Sequence, residues 1–327
     1  MHAIVQHTYG SPDVLKPAEL PRPEVGPRQV LVEVHAASVT QGDRRLRSGD
    51  FPGITWLPGR LAMGLTGPRT PVPGTGFAGR VVEVGAEVTT FAVGDDVFGG
   101  APHGAYAELL VMEADGPLTR MPDGLTFAEA ATLPYGALTA LVFLRDLGKL
   151  RAGERVCILG ASGGVGRMAV QLARHLGADV TAVCSPAHAA RVQALGAHVV
   201  VDRHADGAWQ AAGPYDLILD TVGAVSFLTA RRALAPGGRH ASLHVTTGQL
   251  LAAAWTAMTG GRRALLGVAL PSAEAFDEVR GLVETGALRP VLAGSWPLAD
   301  AALAHARLEA GNPGGDLVVS PTMAQAA

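Results

Sequence analysis

The feature that most limits what this chain can fold into is the run Val156-Cys157-Ile158-Leu159-Gly160-Ala161-Ser162-Gly163-Gly164-Val165-Gly166. Its apolar half reads as a strand buried on both faces, its glycines as a tight turn, and 165–176 as an amphipathic helix stopped by Gly177. The spacing is G-x-G-x-x-G with Ala161 in the first place, then Gly163 and Gly166. Glycine at 163 lets a pyrophosphate approach the backbone, and glycine at 166 lets helix and strand pack closely. The N–H groups opening the helix face the anion. Alone the motif is weak, and a merely tight turn is the competing reading. The strand–turn–helix setting strengthens it.

That setting repeats. Strands at 155–159, 180–184, 199–201, 217–220 and 240–243 alternate with helices at 165–176, 186–195 and 226–234, a pattern that predicts a doubly wound parallel sheet. Residues 1 to about 120 read differently. Short strands at 30–34, 79–85 and 106–111 lie between Pro-Gly and Gly-Asp turns, which suggests a small barrel or sandwich. The chain holds 42 glycines and 22 prolines, far above average usage of roughly 12% together, in keeping with many short strands and tight loops. After the sheet come a strand at 265–270, a helix at 273–284, a strand at 290–293, a helix at 299–309 and a strand at 317–319. Thr126 followed by Glu129 reads as a helix-capping box. The expected class is α/β, with a β-rich unit over 1–122, a dinucleotide-binding unit over 123–270 and a return to the first unit over 271–327.

Composition narrows the partners. A net charge of −3 without long runs of one sign argues against a nucleic-acid or anionic-membrane surface. The two cysteines, Cys157 and Cys184, lie in apolar runs, so neither a disulfide framework nor a cysteine zinc site is expected. The opening residues show no basic-then-apolar leader, and the apolar stretch 250–258 is too short to span a bilayer. A cytoplasmic protein is expected.

The end of the second strand bears on the dinucleotide. An NAD site normally carries a carboxylate there to hold the ribose 2′-hydroxyl. Here the strand ends in Cys184-Ser185, and Ser185, His188 and Arg191 follow closely. An uncharged slot beside cations favours the 2′-phosphate of NADPH, though Arg191 also reads as an exposed helix cation.

The chain resembles the medium-chain dehydrogenase/reductase superfamily, in its zinc-free quinone oxidoreductase branch. Carrying the resemblance are Tyr9-Gly10-Ser11-Pro12-Asp13-Val14-Leu15, Ala37-Ser38-Val39 leading to Asp43, Gly79 to Gly85 followed by Val93-Gly94-Asp95, Leu138-Thr139-Ala140, and the glycine turn with Ala169 to Ala173 and Leu195-Gly196-Ala197. It implies a GroES-like β-barrel domain, a Rossmann domain and a cofactor cleft between them. It also implies that Thr139 lies near the nicotinamide and that Ser162, Gly163, Gly164 and Val165 wrap the pyrophosphate. Ser185 then matches a phosphate-binding serine, and His188 stands where a lysine is usual. Arg203 is another phosphate or adenine contact, and Val222, Gly223, Leu243, His244 and Val245 line the cleft.

Departures matter as much. Zinc-dependent relatives place metal ligands where this chain has Thr40 and Thr75-Gly76, none a useful zinc ligand. No metal is expected. Related quinone and enoyl reductases often carry Asn at the position of Thr40 and tyrosines at those of Arg45 and Phe51. The polar candidates near the reacting centre are therefore Thr40, Asp43 and Tyr135, with Asp43 also readable as a turn-stabilising carboxylate and Tyr135 as a packing residue. The expected activity is NADPH-dependent reduction of a small-molecule quinone or α,β-unsaturated carbonyl, with the proton coming from solvent or the Thr40 hydroxyl. A tailoring reductase for one bulky enone or iminium, its pocket lined by 56–65, and a non-catalytic NADPH-binding protein are the alternatives. An apolar edge strand over 264–270 suggests a homodimer.

Overall fold

The computed structural model describes residues 1–51 and 53–321. Near the start, β1 (His2–Val5) and β2 (Lys16–Glu19) form an antiparallel pair. The first large sheet is organised on β3 (Gln29–Val39), whose Val30, Val32 and Val34 are fully buried. It pairs antiparallel with β4 (Gly76–Val84) and β6 (Leu109–Glu113). β5 (Asp96–Gly100) and β7 (Leu118–Arg120) extend the sheet beyond β4. Two strands from the chain's far end close the other side: β14 (Leu292–Pro297) lies parallel to β15 (Asp316–Ser320), and β15 pairs antiparallel with β3. Phe77, Tyr106, Leu110 and Leu317 are among the side chains filling this barrel-like core.

The second sheet holds β8 (Arg155–Leu159), β9 (Asp179–Cys184), β10 (Val199–Asp202), β11 (Tyr215–Asp220), β12 (Leu234–Ser242) and β13 (Arg263–Leu265). All neighbours are parallel, in the order β10-β9-β8-β11-β12-β13. That is the doubly wound nucleotide-binding order, and its reversal between β8 and β11 puts a ligand crevice at the C-terminal end of β8, where the glycine turn stands. Val156, Cys157 and Ile158 are wholly buried, as strands covered on both faces must be.

Several elements differ from expectation. The strand expected over 265–270 exists only as Arg263–Leu265, and 266–270 continues without ladder partners. The expected helix 226–234 is confined to Phe227–Arg231, because Leu234 already begins β12. The stretch 250–258 belongs to a helix Thr247–Thr259. A longer apolar helical run, Phe127–Leu147, is of membrane-crossing length and apolarity, yet 67% of its most apolar window is buried inside the fold. The Thr126–Glu129 capping box opens it, with the Thr126 amide donating to the Glu129 carboxylate at 2.9 Å. Within the run, helix Leu133–Leu141 crosses helix Gly164–His175 so closely that a Cβ on Gly136 would lie 3.0 Å from the Gly164 carbonyl oxygen.

An ion pair joins the sheets. Arg167, only 1% exposed, donates to the Ser162 carbonyl at 2.7 Å and pairs with Asp316 of β15 at 2.7 Å. Burial pushes the Asp316 carboxyl up, and the Arg167 guanidinium opposes that rise. Four residues on, the Gln171 side chain donates to the Arg289 carbonyl at 3.1 Å and accepts from its amide at 2.9 Å. Removing one partner of a buried ion pair leaves the other charge uncompensated, at about 3–5 kcal/mol. Asp316→Ala should therefore lower the unfolding free energy measured by chemical denaturation by an amount in that range, and a variant within about 1 kcal/mol of wild type would contradict the pairing.

Candidate active site

A cleft of about 1490 Å³ lies between the two sheets. One wall is the glycine turn. Helix Gly164–His175 has Gly163 as its N-cap, with no side-chain cap, so its first N–H groups stay available to an anion. A Cβ on Gly166 would fall on the Gly160 carbonyl, which is why this position must be glycine. Asn312 donates to both the carbonyl (3.0 Å) and the hydroxyl (2.9 Å) of Ser162, holding the turn from the opposite unit. Across the turn, wholly buried Asp220 accepts from the amides of Val222 (3.1 Å), Ala224 (3.0 Å) and Val225 (3.1 Å) and so shapes the loop after β11. These features fit a dinucleotide pyrophosphate.

At the end of β9 the cleft is lined by Ser185, Arg203 and His204. Here two expected cations fall away. The 3-10 turn Pro186–His188 leads the chain off the sheet, and neither His188 nor Arg191 lines the cleft. Arg191 instead donates to the Gly314 carbonyl. The charge comes from the next strand: the Arg203 amide donates to the Cys184 carbonyl at 2.9 Å, tying the two strand ends together. Arg203 Nε also donates to His204 Nε2 at 3.1 Å.

At the other end of the cleft are Thr40, Tyr135, Thr139, Leu243, His244 and Val245. Thr40 caps helix Gln41–Ser48 through a capping box with Asp43. Its hydroxyl donates to Asp43 Oδ2 at 2.5 Å and accepts the Asp43 amide at 3.1 Å. Asp43 Oδ1 takes the Thr75 hydroxyl at 2.8 Å. Burial pushes the Asp43 carboxyl up, and the two threonine hydroxyls pull it back. Asp43 itself lies behind the cleft wall, which corrects its direct placement at the reacting centre. The same contacts remove the freedom expected of the Thr40 hydroxyl.

Tyr135 differs. A Cβ on Gly42 would lie 3.0 Å from Tyr135 Cε2 and 3.3 Å from Thr40 Oγ1, so the ring seats against that glycine beside the threonine. Its phenol has no hydrogen-bond partner among the described residues. Burial pushes the phenol up, keeping it protonated at neutral pH, while nearby Arg45 opposes this. The Thr139 hydroxyl donates to the Tyr135 carbonyl at 2.7 Å. Gly223 does not line the cleft; with φ +69° it forms a left-handed turn against which the His244 ring packs. Arg45 donates to His244 Nε2, a pairing across the cleft that the one-dimensional pattern did not reveal. Burial, then Arg45, holds His244 below the usual histidine range. The segment 56–65, expected to line the pocket, forms the exposed helix Trp56–Met63; the cleft reaches only Phe51 and Thr55 on that side.

Under this floor, buried His305 hydrogen-bonds through Nε2 to the Tyr106 hydroxyl at 3.0 Å, and that hydroxyl donates to the Ser38 carbonyl at 3.1 Å. Burial and then Arg47 depress His305 to about 3. A folded-state value below the unfolded one means that the unfolded chain binds the extra proton as pH falls. The contribution of neutral His305 is thus present above about pH 6.5 and is lost progressively as pH falls toward 3. In urea titrations at several pH values, His305→Gln should flatten the stability loss between pH 6 and 4 by about one proton, or 1.4 kcal/mol per pH unit. An unchanged slope would contradict the buried neutral imidazole.

Residues 26–123 match the alcohol dehydrogenase GroES-like domain family, and residues 195–319 match the zinc-binding dehydrogenase family. A quinone oxidoreductase of Pseudomonas aeruginosa is 33% identical over 96% of this chain and 97% of its own. The mitochondrial NAD(P)H oxidoreductase RTN4IP1 of Homo sapiens is 32% identical over 98% and 89%. Among solved structures, the quinone oxidoreductase from Coxiella burnetii superposes with a TM-score of 0.85 at 31% identity, covering 98% of this chain and 99% of that one.

Proposed function

The chain belongs to the medium-chain dehydrogenase/reductase superfamily and is an oxidoreductase of that type, and from that premise we propose an NADPH-dependent, zinc-independent reductase of quinones and α,β-unsaturated carbonyls. The observation that carries the cofactor choice is the end of β9, where Ser185 and the Arg203 guanidinium line the cleft and no carboxylate does. Gly163, Gly164 and Val165 would hold the pyrophosphate, with Val222 opposite and Thr139 nearer the nicotinamide. One or two charge-assisted bonds to a 2′-phosphate are worth about 1.5–3 kcal/mol each. NADPH should therefore bind at least tenfold more tightly than NADH in titration calorimetry, and Arg203→Ala should narrow that gap; equal dissociation constants in the wild type would defeat the choice.

When bound, the nicotinamide supplies the hydride. The chain's own residues orient the acceptor, exclude water and deliver a proton. Thr40 and Thr75, at the family's metal positions, are both committed to Asp43, and the described residues contain no group of three or more His, Cys, Asp or Glu suited to a metal. Without a Lewis acid an alkoxide is poorly stabilised, whereas a quinone yields a delocalised phenolate, so quinones and enones are the favoured acceptors. Leu138, Phe143 and Phe276 give the cleft an apolar lining suited to a flat ring.

For an enone the carbanion needs a proton, and the unpartnered Tyr135 phenol is the group placed to give it. A positioned acid contributes about 10²–10⁴-fold. Tyr135→Phe should lower the ratio of enone to quinone turnover by at least tenfold while NADPH still binds. An unchanged ratio would return the role to solvent.

Assembly is proposed as a homodimer formed through the outer edge of the second sheet, at β13 and the exposed Val268 and Leu270 beyond it. Light scattering at micromolar concentration reads the mass directly.

A further inference from the structure

The cleft carries four arginines and two histidines whose partners differ in kind. Arg44 pairs with Glu309 at 3.3 Å and Arg167 with Asp316 at 2.7 Å, so these charges are answered within the protein. Arg203 donates to His204, not to a carboxylate, at the adenosine end. Arg45 is the other cation with no carboxylate partner among the described residues. It stands at the opposite end, on the helix that Thr40 caps, close enough to Tyr135 to bear on its phenol.

Arg45 is held rather than loose. A guanidinium has no acceptor, so it donates to His244 Nε2 and the remaining imidazole proton sits on Nδ1. That nitrogen is buried without a partner, and the ring lies against Gly223, where an added Cβ would come within 2.8 Å of Cγ. His244 can thus neither neutralise Arg45 nor move aside easily. Four guanidinium N–H donors stay uncommitted to it in the cleft wall. A half-buried, oriented guanidinium is matched by a planar anion that accepts two of its hydrogen bonds, which a carboxylate does. The pyrophosphate is served elsewhere, by the amides of the glycine turn.

We propose that Arg45, positioned by His244, is the specificity-determining residue for the acceptor, and that the preferred substrates are quinones or enones carrying a carboxylate on the ring or its short substituent. This rests on the reductase reading above and deepens it. In chemical terms the reaction that supplies such a quinone is the oxidation of a dihydroxylated aromatic acid, which gives up two electrons and two protons to an oxidant such as dioxygen.

Binding tests it without turnover. 2,5-Dihydroxybenzoate is the reduced form of a carboxylated benzoquinone, and 2,5-dihydroxybenzamide is its uncharged counterpart. Each is titrated calorimetrically into the protein with excess NADP⁺ at physiological ionic strength. The acid should bind at least about tenfold more tightly than the amide. Arg45→Gln should reduce that preference to about twofold or less, and Arg45→Lys should retain part of it. NADPH binding by Arg45→Gln reports whether the site is folded. Equal affinities for acid and amide in the wild type, binding of neither, or a preference that survives in Arg45→Gln overturns the assignment. So does a loss of NADPH affinity matching the loss of acid affinity, which would give Arg45 to the cofactor. Reduction of uncharged 1,4-benzoquinone by the wild type separates the two readings. If it occurs while acid and amide bind equally, the carboxylate site alone falls; if neither it nor reduction of 1,4-benzoquinone-2-carboxylate occurs while the acid preference holds, the reductase reading falls and the anion site stands.

Discussion

The buried pair between Arg167 and Asp316 is the contact on which the rest of the molecule depends. Arg167 lies one residue past the last glycine of the turn, on the first turn of the helix that would face a pyrophosphate. Asp316 opens the strand that returns to the β-rich unit and pairs with β3. One ion pair therefore fixes the glycine turn relative to the capping box at Thr40, and Asn312 repeats the constraint through Ser162. A cleft whose two ends are tied across such a contact can hold a hydride donor and an acceptor in one geometry, which is the main service a protein gives to this chemistry.

The acceptor end shows a different economy of groups. Asp43 is buried and uses both carboxylate oxygens on hydroxyls, Thr40 on one side and Thr75 on the other. The sequence resemblance puts the metal ligands of zinc-dependent relatives at those two threonines. In this chain the same place in the fold is closed by three side chains satisfying one another, leaving the cleft wall uncharged there. Charge enters instead one helical turn along, at Arg45, and a free phenol enters from the facing helix at Tyr135. The pocket is thus apolar on its walls, cationic at one point and protic at another.

Much of this was legible in the linear chain because its signals are local. The glycine turn and the capping box at Thr126 depend on residues within a few positions and formed where expected, while the alternation of strand and helix formed with shifted bounds. The cofactor end was legible in part: Ser185 follows directly from the strand end, but His188 and Arg191 were misplaced because a 3-10 turn redirects the chain between them and the sheet. Arg203 reaches the cleft because a backbone hydrogen bond ties neighbouring strand ends. What could not be read were contacts between distant residues. The Arg45–His244 pair spans 199 positions and the Asn312–Ser162 bond 150, and neither has a local pattern. The edge strand was overdrawn for a related reason: apolar residues at 266–270 look strand-like, but a strand needs a neighbour to supply its hydrogen bonds, and none of the described strands does.

The central claim is that this cleft passes hydride from NADPH to a quinone with no metal taking part. Its most direct test is a single turnover on exhaustively chelated protein, with zinc content verified by elemental analysis. Enzyme, one equivalent of NADPH and excess 1,4-naphthoquinone are mixed in a stopped-flow instrument under anaerobic conditions, and NADPH absorbance is followed alongside quinol formation. The account predicts complete NADPH oxidation with one quinol per NADPH, at a rate unchanged by added zinc. Oxidation that appears only when zinc is restored, or NADPH that binds and is never oxidised, would contradict it.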